Sequence, residues 1–146
     1  MIQIIIGSFL ATLGFGILFN IKGKKLILAG IGGAIGGIVY HVCLDMQMSE
    51  MMSMFWGSIA LSLYSEIFAR VCKTPVTTFL VAALIPLVPG GGMYRTMLQA
   101  IQGNAIQALT TGIDTIAIAG ILVLGILLVS TVMKTICKPR NFRRGV

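Results

Sequence analysis

The residues best suited to chemistry lie in one run, ALIPLVPGGGMYRTM, spanning Ala83–Met97. Pro86 and Pro89 carry no amide hydrogen, so a helix through them leaves the carbonyls of Ala82 and Ile85 without their usual partners. Gly90, Gly91 and Gly92 then offer little resistance to unwinding. A helix restarting near Gly90 presents free N–H groups and the positive end of its dipole, a geometry that suits a carboxylate. A proline-kinked helix satisfied by its neighbours is the plainer reading of the same residues. Two prolines, three glycines and an adjacent Tyr94–Arg95 favour a binding site. The expected substrate-binding set is Pro86, Pro89, Gly90, Gly91, Gly92, Tyr94 and Arg95.

Arg95 has two readings: its planar fork can grip a carboxylate, or its long stem can reach a membrane surface, about 13 Å beyond Pro86 along a helix. Asp114, Glu66 and His41 are the candidates for ion coupling. Each has a structural alternative: Asp114 at the start of a helix suits the positive helix end, Glu66 and Arg70 are spaced for a local i,i+4 ion pair, and His41 stands alone. Asn20 is placed to cap a helix or to hydrogen-bond across a bundle. Cys43, Cys72 and Cys137 show neither a CxxC pattern nor a Cys/His spacing, so no metal, cofactor or disulfide framework is expected. No nucleophile–base pair or phosphate loop supports an enzyme.

The elements that must position these groups are membrane helices. Hydrophobic residues make up 57% of the 146 positions and charged ones only 10%, with a mean hydropathy of +0.99. A soluble domain carries roughly 25% charged residues, so lipid is the solvent that tolerates this surface. The composition predicts an all-α integral membrane protein, a single domain of about five transmembrane helices. About 20 apolar residues cross a hydrocarbon core of roughly 30 Å. The expected spans are 2–21, 26–44, 52–71, 76–97 and 112–133, with 98–111 an amphipathic connector and 134–146 a basic cytoplasmic tail. The fourth span is broken at Pro86–Gly92, about 15 Å from its start and so near the bilayer midplane, where non-helical backbone must be buried or line a wet cavity.

Charge sets the expected orientation. The chain has eleven Lys and Arg against four Asp and Glu. With the N-terminus outside, Lys22, Lys24, Lys25, Arg70, Lys73, Lys134, Lys138, Arg140, Arg143 and Arg144 all fall on cytoplasmic ends. Arg95 alone falls elsewhere. The net charge of +7 is thus a topology signal, and no nucleic-acid partner is expected. The apolar run starting at Met1 lacks a basic leader and a cleavage site, and is expected to be a retained helix.

The second span contains AGIGGAIGG, Ala29–Gly37. Gly32 with Gly36, and Gly33 with Gly37, form small-xxx-small pairs that let helix backbones approach closely in lipid. A static helix contact is the expected role, and a moving or substrate-lining surface is the alternative.

The run TPVTTFLVAALIPLVPGGGMYRTM (Thr74–Met97), with GFGILFN (Gly14–Asn20) and the glycine-rich second helix, resembles the threonine/serine exporter family. The chain is most similar to the small subunit of that family's split form, in which a larger membrane protein supplies the other half. The resemblance covers nearly the whole chain, and its most specific part is the Pro-x-x-Pro-Gly run followed by Tyr94. It implies secondary export of small carboxylate-bearing metabolites, threonine and serine or a dicarboxylate such as succinate. Pro86, Pro89, Gly90 and Tyr94 match the family motif, whereas the role of Arg95 rests on chemistry alone. The expected protein is therefore an exporter subunit of the cell membrane with a larger membrane partner, the lipid bilayer and a small carboxylate as its contacts. A non-transporting assembly subunit and a homo-oligomeric channel are the alternatives.

Overall fold

A computed structural model describes residues 2–136. Six α-helices follow one another: α1 (Ile2–Leu18), α2 (Lys24–Asp45), α3 (Glu50–Val71), α4 (Thr77–Leu84), α5 (Gly90–Ile101) and α6 (Ala105–Ile136), with a short 3-10 turn, Ile85–Leu87, ending α4. No strand occurs among the described residues. Cys137, Lys138, Arg140, Arg143 and Arg144, and most of the expected basic tail, lie outside them.

The turns share one device. Asn20 (φ 60°), Gln47 (φ 60°), Lys73 (φ 50°) and Gly103 (φ 81°) each adopt a left-handed conformation just past a helix. After α1 the amide of Ile21 donates to Gly16 O and that of Asn20 to Ile17 O, each at 2.9 Å. This pair of bonds closes a Schellman turn and satisfies carbonyls that the helix end leaves free. Asn20 thus caps through its backbone, and α1 stops at Leu18, short of the expected end at Ile21.

α2 sits centrally, packed against α1, α3 and α4, because its glycines remove the side chains that would hold neighbours away. Gly30, Gly33 and Gly37 face α1: a Cβ on Gly30 would meet Phe9, one on Gly33 would collide with Thr12, and one on Gly37 would come within 2.6 Å of Ser8 Oγ. Gly32 and Gly36 face the other way, against Tyr64 and Leu61 of α3. Tyr64 Oη also donates to Leu28 O at 3.0 Å, tying α3 to α2. Ser49 caps α3 by accepting the Met52 amide at 3.3 Å.

Two apolar clusters fill the interior. Ile21, Ala29, Ala69, Phe79 and Ala82 form one, at the end carrying the lysines. Met54, Leu61, Ala83, Leu87, Ile118 and Leu122 form the other, around the break after α4. Large apolar side chains such as Leu10, Ile17, Ile116, Leu124 and Leu127 point outward, as lipid-facing residues do.

Two helices, α2 and α6, are long and apolar enough to cross a bilayer, and α4 with α5, bent by 50° at the break, makes a third such unit. α1 has 17 residues, below the roughly 20 that span the core. α3 has 22 residues but carries Ser53, Ser58, Ser62, Ser65 and Glu66, all buried. Those polar groups lower its average apolarity although they face protein. The stretch 98–111 is not a separate connector. Leu98–Ile101 is the last turn of α5, and α6 begins at Ala105 and continues unbroken for 32 residues.

Candidate functional site

The break after α4 has a definite local geometry. Val88 is extended (ψ 130°), the conformation favoured for a residue before proline. Pro89 (φ −73°, ψ 55°) then closes an inverse γ-turn, with Gly90 N donating to Val88 O at 2.7 Å. The Ile85 carbonyl, expected to lose its partner to Pro89, instead shares the Val88 amide with Leu84 O, each at 3.2 Å. α5 restarts at Gly90 with Pro89 as N-cap and no side-chain capping bond. Its first helical bond runs from Met93 N to Pro89 O. The amides of Gly91 and Gly92 have no backbone acceptor among the described residues, so the positive end of α5 is open.

That end faces a cavity of about 390 Å³. Pro86, Pro89, Gly90, Gly91, Gly92 and Arg95 form one wall, Thr111, Asp114, Thr115 and Ile118 of α6 a second, and Tyr40, Glu50 and Met54 a third. Arg95 folds back over the break, its Nε donating to Gly91 O at 3.2 Å. Among the described residues no carboxylate oxygen lies within 4.0 Å of its guanidinium, which leaves the outer nitrogens of the fork available. One fixed cation and two carboxylates, Glu50 and Asp114, thus share one wet-sized space with an uncapped helix start.

α6 holds α5 in this position. A Cβ on Gly92 would come within 2.5 Å of Thr115 Oγ1, and one on Gly112 would lie 3.2 Å from Thr96 Cγ2. Thr111 Oγ1 donates to Gln99 Oε1 at 2.9 Å, closing the pair one turn before the Gly103 turn. Of the three glycines only Gly92 is required by packing: a Cβ on Gly90 would meet nothing, and one on Gly91 only the tip of Arg95 at 3.9 Å.

Several expected site residues lie elsewhere. Tyr94 does not line the cavity and is 67% exposed, because successive helical residues point about 100° apart and Gly92 fixes which side of α5 meets α6. Of the three ion-coupling candidates only Asp114 reaches the cavity. His41 packs edge-on against Tyr40, ring centroids 5.1 Å apart. Glu66 lies at the other end of α3, buried and paired with Arg70 at 3.1 Å. Arg70 also donates to Met133 O at 3.2 Å, so this pair ties α3 to the end of α6. Glu50 and Tyr40, which the sequence did not single out as site residues, reach the cavity. The signal for Glu50 was its place one residue after the Ser49 cap.

The comparisons with known proteins follow the same residues. The pattern of the threonine/serine exporter family matches residues 4–132, a stretch that includes the whole cavity. An uncharacterized protein of Haemophilus influenzae is 26% identical over 125 residues, covering 80% of this chain and 42% of that protein. The chain therefore spans less than half the length of this relative. No solved structure matches. With the family pattern running from the first turn of α1 almost to the end of α6, this membrane protein belongs to the threonine/serine exporter family.

Proposed function

We propose that the chain is one half of a secondary exporter and that the cavity at the Pro86–Gly92 break binds the cargo. The observation that carries this reading is the meeting of open Gly91 and Gly92 amides and the Arg95 fork with Glu50 and Asp114 around one space. The amides and Arg95 hold a carboxylate; Glu50 and Asp114 hold an ammonium. A zwitterionic amino acid satisfies both signs. A dicarboxylate such as succinate would set its second carboxylate against those two acids, so the charges favour threonine or serine. Asp114 is also the group placed to carry a coupling proton, being the one acid of α6 in the cavity.

In this reading all of α1, α2, α3, the bent α4–α5 pair and α6 cross the membrane, with the N-terminus outside. About 16 Å of helix precede the break, which sets it near the midplane. Alternating access is a rocking of the α5–α6 pair about the break. The family relative is more than twice as long as the part this chain matches, which supports a larger membrane partner that completes the pathway.

The test is efflux of labelled threonine, serine and succinate from preloaded liposomes, containing this chain alone or with a larger family subunit. Efflux of threonine or serine only with both subunits is the expected result. Efflux from this chain alone indicates a homo-oligomeric channel. Normal assembly of both subunits with no efflux of any cargo makes the chain an assembly subunit and removes the transport reading.

A further inference from the structure

Besides its charges, the cavity at the break is lined by three hydroxyl side chains among the described residues: Tyr40 of α2, and Thr111 and Thr115 of α6. They differ in what they can still offer a ligand. Thr111 Oγ1 donates to Gln99 Oε1 at 2.9 Å, and Thr115 Oγ1 donates to Thr111 O at 2.6 Å. Each threonine has spent its one hydroxyl hydrogen inside the protein and can only accept. Tyr40 Oη has no hydrogen-bond partner among the described residues, yet it is not sealed in the interior as Ser62 Oγ and Ser65 Oγ are. The phenol is therefore the hydroxyl donor left free in the cavity.

The ring that carries it has a fixed seat. Tyr40 packs on the cluster that contains Met54, Leu87 and Ile118. Gly57 of α3 makes room for it, since a Cβ there would lie 3.3 Å from Tyr40 Cβ and 3.0 Å from Leu87 Cδ2. His41 stands edge-on to the ring, with centroids 5.1 Å apart. A side chain held in this way loses little freedom when it engages a ligand. Tyr40 also shares its wall with Glu50 and Met54, away from the wall of Arg95 and the α5 amides. A cargo with its carboxylate on that second wall and its ammonium between Glu50 and Asp114 turns its side chain toward what remains. What remains is one free phenol hydroxyl beside the apolar Met54 and Ile118.

We propose that Tyr40 determines specificity by donating from Oη to the side-chain hydroxyl of the cargo, with Met54 and Ile118 against the adjoining carbon. The proposal rests on the cavity taking an amino acid. A site built to bond a hydroxyl rejects the analogue that lacks it, whereas an apolar pocket tolerates the added hydroxyl of an isostere.

The experiment compares two isosteric pairs, threonine with valine and serine with 2-aminobutyrate. It reads efflux from liposomes containing the full chain and a larger family subunit. Wild type is expected to favour the hydroxylated member of each pair by about five- to tenfold in kcat/KM, the net worth of one neutral hydrogen bond. Tyr40→Phe keeps the ring and is expected to bring both ratios close to one. The change should fall on KM for threonine and serine, with valine and 2-aminobutyrate exported as before. Tyr40→Met, a second variant without the hydroxyl, is expected to give the same ratios, and valine efflux reports that either variant is folded. Wild-type ratios in these variants overturn the proposal. Equal losses for both members of each pair do so too, because Tyr40 would then serve the carboxylate, the amine or the packing. A wild type that exports all four without preference removes the role of Tyr40 and leaves the cargo site standing. An assembled wild type that exports none of them removes the amino-acid reading of the cavity and this proposal together.

Discussion

Thr115 occupies the space that any side chain on Gly92 would need: a Cβ there would come within 2.5 Å of Thr115 Oγ1 and 3.1 Å of its Cγ2. The first turn of α5 is therefore fitted to α6 at one residue, and the orientation of Arg95 depends on that fit. Gly92→Ala is expected to destabilise the protein by about 1–3 kcal/mol through overpacking. Adding Thr115→Ala should recover much of the loss, because the two positions share one contact and their effects are not additive. Thermal unfolding of the four members of the cycle in detergent measures this. Simple additivity would mean that α5 and α6 are not joined there.

Gly91 offers the contrasting case. Its missing side chain faces only the tip of Arg95, so Gly91→Leu should fold and assemble as wild type. A leucine there crowds the guanidinium and narrows the approach to the open amides. Export is expected to fall at least tenfold while assembly is unchanged. Normal export by an assembled Gly91→Leu protein would place the cargo elsewhere.

Arg95 donates through Nε to Gly91 O at 3.2 Å, which leaves its outer nitrogens to grip two oxygens at once. Lysine keeps the charge but loses the fork. Arg95→Lys is expected to raise the KM for export about tenfold, in line with the roughly 1.5–3 kcal/mol of a hydrogen bond to a charged group, with a smaller change in kcat. An unchanged KM would return Arg95 to a membrane-surface role.

The break was legible because its cause is local: prolines without amide hydrogens followed by glycines interrupt a helix wherever they stand. The side of α5 that faces the cavity was not. Tyr94 and Arg95 are neighbours about 100° apart, and the choice between them is made by Gly92 against Thr115, a contact between residues distant in the chain. The same holds for Glu50 and Tyr40, which reach the cavity only because α2 and α3 pack closely through Gly32 and Gly36. The expected connector over 98–111 had helical periodicity on both sides of Gly103, so the pattern ran through the turn. The left-handed Gly103 (φ 81°) ends α5 there, and α6 takes the rest. Apolarity likewise undervalues α3, whose serines are buried against other helices.

Glu66 and Arg70 form an unequal pair, with side chains 5% and 37% exposed and 3.1 Å apart. Removing the arginine leaves a carboxylate buried without its partner, whereas removing the acid frees a cation that already reaches solvent and Met133 O. Arg70→Met is therefore expected to destabilise by about 1–3 kcal/mol, and Glu66→Gln by less. Thermal unfolding of both variants decides the order. Equal losses would mean that the tie from Arg70 to the end of α6, and not the charge of Glu66, dominates.

The α1–α2 contact gives the widest spread among the glycines. A Cβ on Gly33 would collide with Thr12, which is itself fully buried and donates to Ser8 O at 2.8 Å. Gly14, one turn before the end of α1, and Gly120, in the middle of α6, have nothing within 4 Å of that position. Gly33→Ala is expected to push α1 away and cost about 1–3 kcal/mol. Gly14→Ala and Gly120→Ala should gain up to about 1 kcal/mol, since alanine loses less backbone entropy in a helix. Cysteine crosslinking between α1 and α2 alongside thermal unfolding separates the effects. A stable Gly33→Ala protein with the α1–α2 crosslink intact would show that the two helices are not held by their closest approach.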